Sequence, residues 1–321
     1  MQLIHRKLSS PFAVSGVPLA LGLAGCGERT PPGAPPEVEG SAGDIEAPAP
    51  SSPGRTYQRT LVFIDVSRDT TMFAPWDFES RSEPEGVGRT IRGWLGRGGQ
   101  WALFMEDDWT AAPTRVPWRI LPRGPVRLVV DTDDVIRTII YREGLRDLSV
   151  QIGSVLAEWR GQKGEIYRLS EGTARLSDIA TDGFVLDVST ARLTGEAEPV
   201  EWGFLTGDDG LHLLLVDPEG PGSYRAWARR GEEDLGWPEV EVEWAETRSF
   251  ERARRPIPVL WRFESDDGEL TVELEAVSSH LKALEGEGAI LPALGVYEVT
   301  GTVRIGEGET PVRGFLRHFQ R

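Results

Sequence analysis

The chain of 321 residues contains a single cysteine, Cys26, so it cannot form an internal disulfide. Its stability must therefore come from buried apolar surface. Histidine is also scarce, with four residues, and no pair of histidines or cysteines has the spacing of a zinc site. No glycine-rich phosphate loop and no Gly-x-Ser-x-Gly nucleophile motif is present. We therefore expect neither a metal nor a cofactor.

Basic residues are few compared with acidic ones. There are 35 lysines and arginines against 51 aspartates and glutamates, which gives a formal net charge of −16. Phosphate backbones and anionic lipid headgroups attract basic surfaces, so we expect no nucleic-acid partner and no electrostatic adsorption to lipid. The segment 131–134 comes nearest to a calcium loop, but it lacks the glycine and the closing glutamate. The acidic surface is interpreted as a solvated, repulsive one that keeps the protein soluble.

The N-terminal segment has the layout of a secretory signal. Arg6 and Lys7 precede a mostly apolar run over 11–23, which is shorter than the about 20 residues that a membrane-spanning helix needs. The stretch LAGC that ends at Cys26 resembles the lipobox of bacterial lipoproteins. The resemblance implies cleavage of a signal peptide over 1–25 and lipidation of Cys26. It also implies membrane attachment through that residue, in the cell envelope, on the periplasmic or outer-membrane face.

The composition changes twice after the signal. Residues 26–55 are rich in proline, glycine, alanine, serine and acids and contain no aromatic residue. Such a segment cannot bury enough apolar surface to offset its ordering entropy, so it is predicted to be a disordered tether. All eleven tryptophans follow it. The folded part is therefore expected to begin at about residue 56, and it is long enough for one large or two moderate domains.

The hydrophobic pattern of the folded part has mostly the period of two that β-strands show. Apolar and polar residues alternate over 270–276 and 297–305. Asp-Gly turns at 208–210 and 266–268 predict hairpins, because glycine tolerates positive φ. Helical periodicity is confined to short candidates at 278–284 and 87–95. Many strands without βαβ alternation predict an all-β fold of antiparallel barrels or sandwiches.

Four aromatic residues of the second half are candidates for a ligand site. Aromatic side chains that point into a barrel can line an apolar cavity. The alternative is that they only fill the core. The candidates are Trp202, Trp244, Trp261 and Tyr297.

A histidine near the end of one predicted strand is a candidate for acid–base chemistry. His280 lies close in sequence to Glu273, Glu275 and Lys282, and we interpret it as a candidate proton-transfer residue. His318, near the C-terminus, is expected to lie on an outer strand face.

Short motifs of the C-terminal half resemble carotenoid 1,2-hydratase-like proteins, also called hydroxyneurosporene synthase or AttH-type proteins. They lie at 200–205 (VEWGFL), 209–213 (DGLHL), 255–261 (RPIPVLW), 267–270 (DGEL), 296–301 (VYEVTG) and 312–315 (VRGF). The resemblance implies two lipocalin-like β-barrels in tandem. The boundaries would then be an N-terminal barrel-like domain over 56–198 and a C-terminal barrel over 199–321. In some members of the family the protein hydrates an isoprenoid double bond, and Glu298 matches a family carboxylate.

Three functions remain open on the sequence alone. The first is a cell-envelope lipoprotein whose barrels bind a hydrophobic small molecule, a lipid or an isoprenoid. The second is a hydratase-like enzyme with Glu298 or His280 as the proton-transfer group. The third is a structural lipoprotein whose barrels are filled by their own side chains. A ligand pocket of about 300 Å³ or more would separate the third from the others.

Overall fold

The computed structural model describes residues 54–65, 71–83, 85–132, 135–193, 201–217 and 224–321. Their regular elements are seventeen β-strands, which confirms the all-β prediction. Among these residues no helix is long and apolar enough to cross a membrane. The predicted signal peptide over 1–25, Cys26, and most of the predicted tether over 26–55 lie outside the described residues.

The first nine strands form one antiparallel sheet in the order β4-β3-β2-β1-β9-β8-β7-β6-β5. The strands are β1 (Arg55–Asp65), β2 (Met72–Glu83), β3 (Gly86–Arg97), β4 (Gln100–Ala111), β5 (Val126–Val130), β6 (Ile136–Glu143), β7 (Arg146–Arg160), β8 (Ile166–Leu176) and β9 (Ile179–Leu193). Because β1 pairs with both β2 and β9, the first and last strands of this half meet in the middle of the sheet.

This sheet curls so that strands near its two ends face each other. The rings of Phe104 on β4 and Tyr141 on β6 lie 4.1 Å apart between centroids. The hydroxyl of Tyr141 donates to the carbonyl of Phe104 at 3.2 Å. The concave face buries an apolar cluster that includes Phe63, Trp76 and Val150. Burial of such large side chains is the main source of stability for a chain without disulfides.

The last eight strands form a closed antiparallel barrel. The strands are β10 (Glu201–Gly207), β11 (Leu211–Val216), β12 (Tyr224–Arg230), β13 (Glu233–Phe250), β14 (Arg255–Ser265), β15 (Leu270–Ala283), β16 (Ala293–Ile305) and β17 (Gly308–Gln320). Closure comes from the pairing of β10 with β17. Alternate residues point inward, and the interior is packed with fully buried residues such as Leu213, Leu274 and Val299.

The two predicted Asp-Gly turns join strands as expected. Gly210, between β10 and β11, has a φ of 77°, and Gly268, between β14 and β15, has a φ of 70°. Both values lie in the left-handed region that glycine enters without steric cost. The hairpin predictions at these turns are confirmed.

Both short helix predictions are wrong. Residues 278–284 lie almost wholly in β15, and 87–95 lie in β3. Each of these strands pairs on both sides, β3 with β2 and β4, and β15 with β14 and β16. Ladder hydrogen bonds and packing between neighbours thus override a weak local periodicity.

The convex face of the first sheet packs against the outside of the closed barrel. The shared apolar layer contains Val62 and Phe73 from the sheet and Trp202, Phe204 and Phe315 from the barrel. The rings of Phe73 and Phe315 lie 6.3 Å apart between centroids. Strands on both sides of this layer therefore carry apolar residues on two faces, one for the layer and one for their own core.

Candidate functional site

A pocket of about 290 Å³ lies at one end of the concave face of the first sheet. We call it the sheet pocket. Its deep wall is formed by Phe78 and Ile91, which are buried, and by Arg89, which is 5% exposed. Its outer wall includes Trp118 and Leu121, which are 53% and 43% exposed. The volume is close to the lower bound of about 300 Å³ for small-molecule sites.

The outer wall belongs to the segment 112–125 between β4 and β5, which we call the strap. Ser80 Oγ donates to the carbonyl of Pro117 at 2.7 Å. Arg89 Nη1 donates to the carbonyl of Arg119 at 2.8 Å. The ring of Trp118 lies 6.1 Å from that of Tyr57. These contacts hold the strap over the end of the sheet and place an indole at the mouth of the pocket.

Arg89 is a buried cation for which the described part of the chain supplies no counterion. Among the described residues no carboxylate pairs with it, and its Nε has no hydrogen-bond partner. Burial lowers the pKa of the Arg89 guanidinium, and no carboxylate opposes that shift. A buried charge that is not neutralised costs free energy. The deep wall of the sheet pocket is therefore electropositive.

A second arginine on the pocket wall is neutralised. Arg59 Nε and Nη2 donate to the two carboxylate oxygens of Asp187 at 2.8 and 2.6 Å. Their side chains are 19% and 11% exposed. The pair joins neighbouring strands β1 and β9 in a bidentate geometry, which fixes both side chains. Of the two arginines among the described lining residues, Arg89 is therefore the one that no described carboxylate neutralises.

A different polar cluster lies inside the closed barrel, around the carboxylate of Glu201. Tyr224 Oη and Trp261 Nε1 each donate to Glu201 at 2.6 Å. His318 Nδ1 lies 2.8 Å from Glu201 Oε1, and Trp244 Nε1 donates at 3.4 Å. Glu201 is 1% exposed. A buried carboxylate with this many donors is well satisfied.

Two polar atoms of the same barrel interior lack partners among the described residues. They are the Nε2 of His318 and the hydroxyl of Tyr297. Both residues are fully buried, and their rings lie 6.5 Å apart. Burial raises the pKa of the Tyr297 hydroxyl above its usual range, and burial together with the charge of Glu201 does the same for Tyr224. Both phenols therefore stay protonated at neutral pH.

Three of the four predicted ligand-binding aromatics are brought together inside the closed barrel, and the fourth, Trp202, is not. Trp244, Trp261 and Tyr297 face the interior of the closed barrel, where Trp261 and Tyr297 have no exposed surface. Trp202 points outward into the layer shared with the first sheet. None of the four lines the sheet pocket.

The two predicted proton-transfer residues lie on the outside of the closed barrel. Glu298 accepts hydrogen bonds from Thr71 Oγ1 at 2.6 Å and from Ser278 Oγ at 2.9 Å. His280 pairs in register with Val296, which belongs to the outer layer. Burial and the charge of Lys282 lower the pKa of His280. Neither residue is in contact with the Glu201 cluster or lines the sheet pocket.

The expectation that His318 lies on an outer face is wrong, because its side chain is fully buried beside Glu201. Sequence reasoning also gave no role to Arg59, Arg89, Trp118 or Glu201. The alternation of side chains along β10 could have predicted the face of the strand on which Glu201 lies. If Trp202 and Phe204 face one side, then Glu201, Gly203 and Leu205 face the other.

A larger crevice of about 1060 Å³ runs between the first sheet and the closed barrel. Charged side chains of both signs line it, among them Arg92, Glu106 and Lys282. Lys282 and Arg92 both pair with Glu106. Such a wall does not suit an apolar ligand. No group of three or more metal-ligating side chains occurs in the described parts of the chain.

Two solved structures resemble the whole arrangement. An AttH-designated protein from Nitrosomonas europaea aligns over 89% of this chain and 99% of its own, with a TM-score of 0.56 and 14% identity. Kievitone hydratase from Nectria haematococca aligns over 83% of this chain and 89% of its own, with a TM-score of 0.53 and 12% identity. The chain shares its fold with these two proteins. No family model and no curated protein matches the sequence. The all-β fold implied by the AttH-type resemblance is thus confirmed, with an open curled sheet in the first half and a closed barrel in the second. At these identities the likeness carries the fold alone.

Proposed function

We propose that the protein binds a small hydrophobic molecule in the sheet pocket. The observation that carries the proposal is a cavity of about 290 Å³ lined by Tyr57, Trp109, Trp118 and Leu121 at the open end of a curled sheet. Ligand sites are typically concave, largely apolar and supplied with a few polar groups. The interior of the closed barrel, by contrast, is occupied by its own side chains.

Burial along the pocket supports this location. Trp118 and Leu121 leave about half of their surface in water. The strap holds these two large apolar side chains in a half-exposed position. Their exposed surface is therefore available for contact with a ligand. Aromatic side chains provide such surface at low conformational cost.

The test is binding of 1-octanol, a neutral apolar probe of suitable size, measured by isothermal titration calorimetry. We expect a dissociation constant of about 1 mM, which corresponds to about 4.1 kcal/mol and lies within the ligand-efficiency ceiling for a molecule of this size. Ser189 lines the pocket, so Ser189→Phe should fill it and abolish the heat of binding. Ser154→Phe, the same change at an exposed position of β7, is the matched control and should bind normally. Equal binding by both variants would refute the proposal.

A second candidate function is acid–base catalysis of the hydratase type. It rests on the Glu201–His318 pair, in which Glu201 orients the imidazole and Nε2 has no partner among the described residues. A carboxylate-oriented imidazole is a common proton-transfer device. The shared fold with a hydratase is in keeping with this candidate. Trp244 packs edge-on against His318, whose side chain has no exposed surface, so side chains of the barrel interior would have to move for a substrate to reach Nε2.

Incubation with kievitone tests this second candidate. Mass spectrometry should detect a product heavier by one water, and His318→Gln should abolish it. Absence of the product with the native protein would count against water addition to this substrate. Product formation that survives His318→Gln would exclude the Glu201–His318 pair as its source.

We also propose that the protein is a lipoprotein of the cell envelope, anchored through Cys26, on the periplasmic or outer-membrane face. The support is the sequence of residues 1–26 alone. Two or three acyl chains, at about 0.8 kcal/mol for each buried CH₂, give a firm attachment. The pocket would then face ligands at or near a membrane, in keeping with a hydrophobic occupant.

A further inference from the structure

We infer that the ligand of the sheet pocket carries an anionic head that is bound at the deep wall by Arg89. The inference rests on the proposed binding function and names the chemical class of the ligand. It is a small amphiphile with one carboxylate-type group and an apolar body, and it lies with the head at Arg89 and the apolar body along the partly exposed side chains of Trp118 and Leu121.

The charge of the deep wall is the first argument. Arg89 is 5% exposed, donates only to carbonyl oxygens of the strap, and has an Nε without a partner among the described residues. The whole chain carries a net charge of −16, so carboxylates are abundant elsewhere. A buried guanidinium left without one of them is most stable when a bound anion neutralises it.

Glu79 is the acidic residue among the described lining residues, and its carboxylate does not neutralise Arg89. Glu79 alternates along β2 with Phe78 and Ser80, so its side chain points to the opposite face of the sheet. There it pairs with Arg81 at 2.6 Å and with Arg192 at 3.6 Å. Asp187 is likewise engaged, by Arg59. The positive charge of Arg89 is therefore available to a ligand.

The distribution of polar and apolar groups over the pocket walls determines the orientation of the bound ligand. Burial increases from Trp118 at the mouth to Ile91 and Arg89 at the deep wall. The exposed side chains are aromatic and aliphatic, while the cation is buried beneath the strap carbonyls of Pro117 and Arg119. An amphiphile satisfies both kinds of group only with its charged head at Arg89.

The volume sets the size of the ligand. At about 30 Å³ for each water-sized group, the pocket holds roughly ten non-hydrogen atoms. Octanoate has about that number, so a medium-chain carboxylate fits the 290 Å³ of the pocket. Longer chains would have to extend past Trp118 into solvent.

Three probes of equal chain length test the inference on the native protein by calorimetry at neutral pH. Octanoate should bind at least about tenfold more tightly than 1-octanol, and octylamine should bind more weakly than either. Equal affinity for octanoate and octanol would overturn the anionic class while leaving the pocket as a binding site. Failure of all three probes to bind would instead refute the proposed function itself.

Variants of Arg89 test whether this residue causes the preference for octanoate. Arg89→Met should bring the ratio of octanoate to octanol affinity to about one, whereas Arg89→Lys should keep the preference because it keeps the charge. Arg175→Met, at an exposed position of β8, is the control and should behave as the native protein. Equal loss of octanoate and octanol binding in a folded Arg89→Met variant would limit Arg89 to holding the strap. That outcome would overturn its assignment as the head-group site.

Discussion

His318 Nδ1 lies 2.8 Å from Glu201 Oε1 inside the closed barrel, across a sequence separation of 117 residues. The two residues pair in register between the first and last strands of the barrel. The strands that close the barrel are therefore joined by a side-chain contact as well as by their ladder. A buried carboxylate of this kind stabilises only while all its donors remain in place.

Replacement of Glu201 by alanine is expected to destabilise the protein strongly. The change leaves the buried donors of Tyr224, Trp261 and His318 unpaired, at about 1–3 kcal/mol each. The free energy of unfolding, measured by urea titration, should fall by more than about 3 kcal/mol. Glu241→Ala, at an exposed position of β13, should change it by less than about 0.5 kcal/mol. Similar values for the two variants would contradict the account of the cluster.

The ion pair on the pocket wall leads to a second stability prediction. Asp187→Ala removes the bidentate partner of Arg59 and should cost about 3 kcal/mol, because both side chains are largely buried. The double variant Arg59→Met, Asp187→Leu should recover most of that loss, since no charge is then left behind. A double-mutant cycle in urea measures both effects. Additive losses in the cycle would show that the two residues are not coupled.

The stability of the protein should fall between pH 7 and pH 5, in part because of His212. Burial and the charge of Arg229 lower the pKa of this histidine, although Asp209 opposes the shift. The unfolded chain therefore takes up a proton before the folded protein does, and stability present above the unfolded pKa is lost as pH falls. His212 packs against Phe184 and Phe204. The free energy of unfolding of His212→Phe, measured relative to that of the native protein, should therefore increase as the pH is lowered from 7 to 5. A difference that does not change with pH would contradict this assignment.

Membrane attachment can be tested at Cys26. In cells that process lipoproteins, Cys26→Ser should move the protein from the membrane fraction to the soluble fraction, because the acylated thiol is lost. The substitution Ser41→Ala, within the predicted tether, is the control and should leave the protein in the membrane fraction. Unchanged fractionation of Cys26→Ser would show that the segment 1–26 is not a lipoprotein signal.

The β-strands and the Asp-Gly hairpins could be predicted from the sequence. Alternation and turn-forming residues are local features that span only a few residues. The alternation of side chains along a strand also predicts which residues share a face. Tyr297 and Glu298 are neighbours on one strand, so they cannot both face one cavity. The structure places Tyr297 inside the barrel and Glu298 outside, beside Thr71.

The position of His280 could not be predicted by alternation. Leu270, Val272 and Leu274 face the interior, and the same period would place His280 there as well. A register shift between Ala276 and Ser278 reverses the faces of β15 and turns His280 outward. A β-bulge of this kind has no clear signal in a single sequence.

The sheet pocket itself was beyond sequence reasoning. Its lining comes from β1, β2, β3, β4, β9, the strap and Gly164 of the β7–β8 turn. The curl that brings these together depends on long-range pairing. Arg89 looks like any strand arginine in the sequence. Its importance arises from burial away from every carboxylate that the structure describes, and only the packed structure defines that environment.

Photo-crosslinking with a diazirine-bearing analogue of 1-octanol tests the binding site most directly. After irradiation and digestion, the labelled peptides should contain Trp109 and the strap residues 117–121, and Ser189→Phe should suppress the label. Labelling confined to strands β10–β17, with none on the strap, would contradict the assignment of the sheet pocket as the ligand site.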